Sequence, residues 1–359
     1  MKKTISLLMI LVLNTAADVA YADFTFGTPV NLGPTVNSGS TDWGPSISAD
    51  GLSLFFSSRR GGGFGEEDIY VTTRATTEDP WEEPANLGPP VNTSNWEQGP
   101  SISADGLSLF FSSYNRPDGS GGDDIYVTTR ATTDEPWSAP LNLGPKVNSS
   151  SADWTPSISA DGLSLFFTSK RSGGYGRHDL WITTRETIHD EWGAPANLGP
   201  TVNSGHRELS MSISHDSLLL FLGSDRPGGS GGHDLWITTR TTTNDPWREP
   251  VNLGPTVNSS APYDQTPSVS ADGSTLYFCS NRPDGIGDGD IYQAQVIPIV
   301  DLNGDGIVDA TDMCLVVDYW GTDEPSCDIG PMPWGDGIVD VQDLIVLAEH
   351  LFEEVPLAQ

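Results

Sequence analysis

The sequence predicts an all-β fold, a five-bladed β-propeller with four antiparallel strands per blade, followed by a small α-helical domain. One observation is an internal repeat whose copies are 55 or 56 residues apart, a spacing typical of one propeller blade. The copies of PSISADGLSLFFSS and its variants begin at Pro45, Pro100, Pro156, Met211 and Pro267. A second observation is that residues 24–300 lack a helical period, whereas the segment after them has one.

Each repeat contains four segments with strand character. PSIS is the first strand, and the Asp-Gly pair after it predicts a tight hairpin turn. LSLFFSS is the second strand, which is apolar enough to be buried on both faces. A Gly-rich loop then leads to DIYVTTR as the third strand, and PxNLG is the fourth.

The two ends of the repeat region predict how the ring closes. The segment FGTPVNLGPTVN is a fourth strand with no other strands before it, and the fifth repeat stops after its third strand. Phe26 occupies the position that a tryptophan occupies in the other units, namely Trp81, Trp137, Trp192 and Trp247. We therefore expect the N-terminal strand to complete the fifth blade and remove the open sheet edge.

These elements resemble the WD40-like repeats of TolB-type propellers, especially those of bacterial envelope proteins. The matching motifs are SADG, LFFSSRRGG, DIYVTTR and W–P–NLG, and they cover residues 24–297. The resemblance implies a propeller fold and leaves the activity open, because such propellers carry many unrelated functions.

The N-terminus has the pattern of a secretory signal peptide. Lys2 and Lys3 precede an apolar run, and Ala20-Tyr21-Ala22 is a small-residue cleavage site. The run is too short to span a bilayer, and we find no other candidate span. The predicted organisation is signal peptide 1–22, propeller 23–297, helical domain 298–354 and tail 355–359. We expect an exported monomer, located outside the cell, in the periplasm or in the cell envelope.

The charge of the chain narrows the choice of partners. With 17 Lys and Arg against 49 Asp and Glu, the formal net charge is −32. A nucleic-acid backbone or an anionic lipid surface would be repelled, so both are excluded as expected partners. The three cysteines are too few for a disulfide framework, so the core has to come from packing.

The segment DLNGDGIVDATD, residues 301–312, has the spacing of a calcium-binding loop. Oxygen atoms fall at loop positions 1, 3, 5, 7, 9 and 12, and Gly306 at position 6 permits the sharp turn. The predicted ligands are Asp301, Asn303, Asp305, the carbonyl of Ile307, Asp309 and Asp312. An apolar period typical of a helix follows directly.

A second half, GDGIVDVQDLIVLAEHLF, repeats this pattern incompletely. Met332 and Trp334 stand at positions 1 and 3, where neither side chain offers an oxygen, and Asp328 is the expected substitute. The predicted ligands of this weaker site are Asp328, Asp336, the carbonyl of Ile338, Asp340 and Asp343. The sequence therefore predicts calcium as the cofactor, with one strong and one weaker site.

Two loop–helix halves with aspartate at position 12 resemble a dockerin, a calcium-binding module that docks cohesin modules in assemblies acting on polysaccharides. The resemblance implies a cohesin-like protein or a cell-surface component as partner. A purely structural role for the calcium loops is the alternative. Exported proteins form disulfides, so a bridge between Cys314 and Cys327 is one expectation and two unbridged thiols the other.

One end of the propeller collects the candidate ligand-binding residues. An acid precedes each first strand, and because first strands are innermost, we expect five carboxylates around one mouth of the channel. Aromatic residues and, in the fourth repeat, two basic residues lie next to these acids. The candidates are Asp42, Trp43, Glu97, Asp153, Trp154, His206, Arg207, Glu208, Tyr263 and Asp264. Hydrogen bonding of the acids to neighbouring backbone is the alternative to ligand binding.

These residues leave two classes of function open. Inverting glycosidases hold two carboxylates about 6.5–9.5 Å apart, so a carbohydrate-active enzyme, an O-glycosyl hydrolase, is one interpretation. Catalysis needs an acid and a base in different environments, however, and these acids follow the repeat. The leading prediction is a non-catalytic binding or scaffold protein that presents a glycan or a peptide site. We also expect an Arg–Asp pair to close each Gly-rich loop, for example between Arg60 and Asp68.

Overall fold

A computed structural model of the protein describes residues 24–298, 300, 302, 307–322, 327–330 and 338–352. The predicted signal peptide, residues 1–22, lies outside the described residues. Within them the chain forms 21 β-strands and two α-helices. The strands make five antiparallel sheets, so the predicted five-bladed propeller is confirmed.

The strands follow one another blade by blade along the chain. Two short strands come first, β1 (Phe24–Phe26) and β2 (Val30–Asn31). Blade one contains β3 (Asp42–Ile47), β4 (Ser53–Ser58), β5 (Asp68–Thr73) and β6 (Ala85–Asn86). Blade two contains β7 (Trp96–Ile102), β8 (Ser108–Tyr114), β9 (Asp123–Thr129) and β10 (Leu141–Asn142).

The remaining blades keep this order. Blade three contains β11 (Asp153–Ile158), β12 (Ser164–Ser169), β13 (Asp179–Thr184) and β14 (Ala196–Asn197). Blade four contains β15 (Glu208–Ile213), β16 (Leu219–Ser224), β17 (Asp234–Thr239) and β18 (Val251–Asn252). Blade five contains β19 (Asp264–Val269), β20 (Thr275–Ser280) and β21 (Asp290–Pro298).

The second strand of each blade is buried on both faces, as its continuous apolar run predicts. Side chains alternate between the two faces of a strand, so neighbouring phenylalanines of β4 enter different cores. Phe56 packs in a cluster with Tyr277 of blade five. Phe55 packs in a cluster with Leu109 of blade two. The second strands therefore hold adjacent blades together through apolar contact.

The N-terminal segment closes the ring as predicted. Strand β2 pairs with β21, with Val30 opposite Gln293, and so forms the outer strand of blade five. Strand β1 adds a pairing that the repeat did not predict, with Phe26 opposite Val296 near the end of β21. In the other four blades the positions of Val296 and Phe26 are occupied by an arginine and a tryptophan. In blade one, the guanidinium of Arg74 lies 4.3 Å from the ring centre of Trp81. Blade five replaces that pair with apolar contact.

The innermost strands are joined by a closed ring of hydrogen bonds around the channel. A serine hydroxyl of each first strand accepts a hydrogen bond from a backbone N–H of the next blade, as Ser101 does from Ile158 at 3.0 Å. The other serine acceptors are Ser46, Ser157, Ser212 and Ser268, at 3.0–3.3 Å. Because these amide groups are buried, the serines satisfy donors that would otherwise destabilise the fold.

The C-terminal region contains helices α1 (Ala310–Asp318) and α2 (Val341–Glu349). Asp309 caps the first helix and Asp340 the second, and each forms a capping box with the aspartate three residues later. The two halves thus share one local structure, as the repeated sequence pattern predicts. Val308, Val316, Val339 and Leu347 belong to one buried apolar cluster.

Each half of the C-terminal region also contacts the loop of the other half. After α1, the N–H of Gly321 donates to the carbonyl of Val339 at 2.8 Å. After α2, the N–H of Phe352 donates to the carbonyl of Val308 at 2.7 Å. The thiol of Cys314 is exposed and forms no disulfide, so the bridge to Cys327 is not formed. In the described part of the chain, no helix has the length and hydropathy needed to cross a bilayer.

Removing residues 24–31 should abolish cooperative unfolding of the propeller. The deletion exposes the edge of β21 and removes the core contacts of Phe24 and Phe26. The matched control begins at Phe24 and keeps both strands. Thermal unfolding followed by circular dichroism and light scattering tests this, and a deletion variant that melts like the control would contradict strand-based closure.

Candidate functional site

The five acids predicted to line the mouth are instead buried in ion pairs. Asp42 is 0% exposed and its two oxygens accept from Ser38 N at 2.5 Å, Ser58 Oγ at 2.5 Å and Arg60 Nη2 at 2.7 Å. The same pairs recur, at 2.6–3.0 Å, as Glu97–Arg116, Asp153–Arg171, Glu208–Arg226 and Asp264–Arg282. All five acids are 0% exposed, so the prediction that they line an open mouth does not hold.

The expected Arg–Asp pair across each Gly-rich loop is also replaced by other partners. Arg60 pairs with Asp42 and donates to the carbonyl of Val36, which belongs to the segment entering blade one. Asp68 accepts backbone N–H groups of its own loop, from Phe64 at 2.6 Å and Gly65 at 3.1 Å. The residues that repeat in every blade therefore have structural partners inside the fold.

The chemistry that differs between blades lies one residue before the repeated aspartate of each third strand. Every third strand contains the repeated aspartate, yet the residue before that aspartate changes from blade to blade. The five residues at this position are Glu67, Asp123, His178, His233 and Gly289. In blades one, three, four and five the carbonyl of this residue accepts from the first strand of the next blade, as in the bond from Glu97 N to Glu67 O at 2.9 Å. We call these residues and the side chains that contact them the mouth cluster.

In blade one the mouth cluster contains a buried glutamate. Glu67 is 1% exposed, and its carboxylate accepts from Arg59 Nε at 3.0 Å and from the indole N–H of Trp43. Burial raises the pKa of Glu67, while the adjacent Arg59 lowers it in part. The guanidinium of Arg59 also lies over the ring of Trp96, 5.4 Å from its centre. This carboxylate is thus enclosed by cationic and aromatic groups.

In blades two and three the cluster is more accessible. Asp123 is half-buried and accepts a hydrogen bond from Gln98 Nε2 at 2.8 Å. Burial raises the pKa of Asp123 to about 6, against an ordinary value of 3.8. The ammonium of Lys170 lies 5.0 Å from the ring centre of Trp154, and its charge partly offsets the effect of burial on Asp123. His178 lies against the same tryptophan, with ring centres 5.2 Å apart.

In blade four the cluster is basic and surrounds one carboxylate. Asp225 lies 3.6 Å from Arg207 Nε, 3.9 Å from His206 Nδ1 and 3.9 Å from His233 Nε2. Burial, then the charges of Lys170 and Arg207, lower the pKa of His178 to about 4. Burial also lowers the pKa of His233.

Electrostatic effects connect the mouth cluster across the blades. The charge of Asp123 raises the pKa of Glu67, and Lys170 acts on both Asp123 and His178. Arg207 acts on His178 and His233, which extends the coupling to blade four. The cluster is therefore one connected charged surface, with acids in blades one and two and mostly bases in blades three and four.

Five of the predicted ligand-binding residues belong to this surface or border it, namely Trp43, Trp154, His206, Arg207 and Tyr263. The hydroxyl of Tyr263 donates to the carbonyl of Asp288 at 2.7 Å, and burial raises its pKa to about 12. Sequence reasoning missed Arg59, Glu67, Asp123, Lys170, His178, Asp225 and His233. For four of them, Glu67, Asp123, His178 and His233, the signal was a repeat position that changes from acid to histidine next to an unchanging aspartate. Arg59, Lys170 and Asp225 share another variable position, directly after the second strand.

The opposite end of the propeller carries a groove of about 470 Å³ between blades one and two. Its lining includes Asp50, Asp105, Arg130 and Trp137, which are repeat residues with equivalents in other blades. Arg130 stacks on Trp137 at 4.3 Å and donates to the carbonyl of Gly106 at 2.8 Å. The groove is therefore a product of the repeated turn structure.

The predicted calcium ligands lie partly outside the described residues. These are Asp301, Asn303, Asp305 and Asp336; the described ligand residues are Ile307, Asp309, Asp312, Asp328, Ile338, Asp340 and Asp343. Asp312 is 0% exposed and accepts from Leu302 N and Asp309 N, each at 2.8 Å. Asp343 accepts from Ile329 N at 2.6 Å, Gly330 N at 2.8 Å and Asp340 N at 2.6 Å. No three acidic, cysteine or histidine side chains converge as metal ligands within the described ranges.

Comparison with known proteins identifies the fold and no family. No family model matches the sequence, and no curated protein matches it. An α-L-arabinofuranosidase from Podospora anserina, solved with cellotriose, has a TM-score of 0.50 at 12% identity over 77% of this chain and 96% of that chain. The catalytic domain of a Coprinopsis cinerea α-L-arabinofuranosidase has a TM-score of 0.49 at 12% identity, over 77% of this chain and 97% of that chain. TolB from Acinetobacter baumannii has a TM-score of 0.46 at 16% identity. The matched region covers 73% of this chain and 56% of the TolB chain.

Replacing Asp123 with asparagine should stabilise the propeller at pH 7.5. Because its pKa is raised to about 6 in the fold, the charged form destabilises the protein above that pH, and this effect fades as the pH falls toward 4. Asparagine keeps the oxygen that accepts from Gln98. We expect a gain of about 1–2 kcal/mol at pH 7.5 that shrinks by more than half at pH 4.5, measured by urea unfolding.

The control for this experiment is Asp134→Asn, at an exposed aspartate of the opposite end. Its stability relative to the parent should be nearly independent of pH. An Asp123→Asn variant less stable than the parent at pH 7.5 would show that favourable contacts, rather than burial, dominate at this carboxylate.

Proposed function

We propose that this protein is an exported binding protein whose mouth cluster holds a glycan. We further propose that its C-terminal domain binds calcium and attaches the propeller to a cohesin-like protein or a cell-surface component. In this proposal the protein presents a ligand site at a distance from its point of attachment, a role that suits the use of polysaccharides.

The proposal depends on one observation, namely that repeat positions at which side-chain charge varies lie together on one surface. Residues with structural partners, such as Asp42 and Arg60, recur in all five blades. Residues that vary in charge converge on one surface, and burial opposes the charged form of Glu67, Asp123 and His178 there. A fold that could repeat a neutral side chain instead holds destabilising charges at one place, which is typical of a binding or catalytic surface.

The composition of the mouth cluster suits a sugar. Trp43, Trp96 and Trp154 are half-buried, so part of each ring is accessible next to polar groups. Sites for small ligands combine apolar surface with a few directed hydrogen-bonding groups, and the mouth cluster also contains the hydrogen-bonded pair Gln98 and Asp123. Sugars offer both kinds of surface, namely C–H faces and hydroxyl groups.

Binding accounts for the geometry better than catalysis does. Asp123, with a pKa of about 6, has the property of a general acid, and this favours a carbohydrate-active enzyme as the second candidate. Glycoside hydrolysis also needs a second carboxylate that reaches water or the sugar. The neighbouring Glu67 is 1% exposed and bound to Arg59, so it does not offer a free carboxylate. Release of reducing ends that is lost in Asp123→Asn would establish the enzyme instead.

Replacing Trp154 with alanine should weaken glycan binding about tenfold or more while leaving the melting temperature within a few degrees. Aromatic side chains in binding surfaces commonly contribute a large part of the affinity. The assay is a glycan array followed by titration calorimetry on the glycans that bind. Phe352→Ala, an 82% exposed aromatic residue of the C-terminal domain, is the matched control and should bind like the parent. Equal binding by both variants would place the ligand elsewhere.

The described part of the C-terminal domain fits calcium. The residues at loop positions 2 and 9 both donate backbone N–H groups to Asp312 at position 12, which supports the assignment of a calcium loop. Asp309 and Asp312, with the carbonyl of Ile307, would hold the ion together with the acids outside the described residues. Calcium would supply positive charge to a segment that has 14 acidic residues and no Lys or Arg between positions 301 and 359.

The surface of the same domain suits a partner. Val317 and Trp320 around the end of α1, and Val341 and Ile345 on α2, are 48–57% exposed. Exposed apolar side chains on both helices would be covered on docking. The cohesin-like partner or surface component would then take this face of the domain.

Calcium binding should show two unequal sites in titration calorimetry of the full chain. Asp305→Ala should remove the tighter site because the first loop has its full set of ligands, whereas Asp336→Ala should remove the weaker one. At a calcium concentration about 1,000 times the dissociation constant, binding would stabilise the domain by about 4 kcal/mol. Asp190→Ala, at an exposed aspartate in blade three, serves as the control. A heat-free titration of the parent would exclude the calcium proposal.

A further inference from the structure

Most cations of the propeller have structural partners that recur from blade to blade. Five arginines pair with the buried acids, and four stack on tryptophans at the opposite end. The Lys and Arg residues of positions 24–298 that belong to neither set are Arg59, Lys146, Lys170, Arg177, Arg207 and Arg248. Three of these six, Lys170, Arg177 and Arg207, lie near one another in blades three and four. Their grouping is therefore specific to these blades and is not part of the repeat.

These three cations form a basic cluster with three of the chain's six histidines. The basic cluster consists of Lys170, Arg177, His178, His206, Arg207 and His233. Burial and the charges of Lys170, Arg207 and Arg177 lower the pKa of His178, so the three cations lie close enough to its ring to act on it. Arg177 N also donates to the carbonyl of His206 at 3.0 Å, which holds the two segments side by side.

The basic cluster contains buried nitrogen atoms without hydrogen-bond partners among the described residues. They are Arg207 Nε, His178 Nδ1 and His233 Nε2. Asp225 is the nearest acid, but at 3.6 Å from Arg207 and 3.9 Å from His233 it is too far for a hydrogen bond to either nitrogen. One oxygen of Asp225 already accepts from the backbone N–H of Arg207 at 2.7 Å. Buried polar atoms are normally paired, and Arg207 Nε always carries a proton, so this nitrogen lacks an acceptor. Each of the two imidazole nitrogens lacks a donor or an acceptor according to its tautomer.

We propose that the ligand of the mouth cluster carries a carboxylate, as a uronic acid does, and that the basic cluster binds this group. The proposal rests on the glycan-binding function and names the class of sugar. Arg207 and Lys170 supply positive charge, and Arg207 Nε donates a hydrogen bond to a carboxylate oxygen. A neutral imidazole adds a further donor where its single N–H faces the ligand. A bound anion also relieves the mutual repulsion of the cations. Gln98 and Asp123, in blade two, face the sugar hydroxyls.

The net negative charge of the chain favours a ligand that carries few negative charges. With a formal net charge of −32, the protein repels a polyanion. Salt at physiological concentration screens this repulsion beyond about 8–10 Å. Inside the basic cluster the local cations dominate because they are closest. The favoured ligand is therefore a mostly neutral glycan with an isolated acidic sugar.

Titration calorimetry with two matched sugars tests this proposal. Cellobiouronic acid and cellobiose differ only in a carboxylate that replaces a hydroxymethyl group. The parent protein should bind the acidic sugar at least about tenfold more tightly, since a charge-assisted hydrogen bond is lost with the neutral sugar. Arg207→Ala and Lys170→Ala should each remove most of this preference. Lys146→Ala, at an exposed lysine outside the mouth cluster, should retain it.

The outcomes separate this inference from the function on which it rests. Lys170 is exposed, so its variant should fold and keeps the test decisive even if Arg207→Ala does not fold. Equal affinity for the two sugars would overturn the carboxylate proposal while glycan binding stands. Binding of neither sugar, nor of any glycan on an array, would overturn both. A preference for densely charged polygalacturonate over the single acidic sugar would contradict the argument from net charge.

Discussion

The buried pair between an arginine and an acid holds each blade to the blade before it. Arg60 joins three pieces of chain, because its guanidinium donates to Asp42, to Ser58 and to the carbonyl of Val36 in the segment that leaves β2. Removing one partner from a buried pair costs about 3–5 kcal/mol, since the other charge stays buried without compensation. With five such pairs the propeller depends on them all, and none of their carboxylates remains available to a ligand.

Because the buried pairs use these acids, the residues that stabilise each blade differ from the residues that are accessible at the mouth. Residues next to the pairs in sequence, such as Trp43 beside Asp42, alternate to the other side of the strand and are half-buried at the mouth. The structural residue of each couple is an aspartate or a glutamate in every blade, whereas the side chain next to it varies in chemical type. The repeat thus supplies a rigid frame while adjacent positions differ without disturbing it.

Much of the fold could be predicted from the sequence, because the signals were local and recurred five times. The blade number, the four strands and the closure by β2 follow from the period and from the unequal ends of the repeat. Strand β1 could not be predicted, since its partner is the end of β21 beyond the repeated segment. The pairing of Arg60 was assigned to the nearest aspartate in sequence, but a hairpin brings Asp42 closer. The mouth cluster could not be predicted from local sequence, because its residues are far apart in the chain and meet only when the five blades assemble.

Closure by β2 also dictates an order of events during synthesis. The side chain of Asn31 donates to Asp290 at 3.0 Å, so the two ends of the ring meet across 259 positions of the chain. Blades one to four are built from neighbouring segments and can form as soon as each emerges, whereas blade five waits for the last strand. Until then β2 has no partner within the ring, and its free edge is open to pairing with another chain. We expect the nascent protein to need shielding of its earliest segment for as long as the rest of the propeller is being delivered.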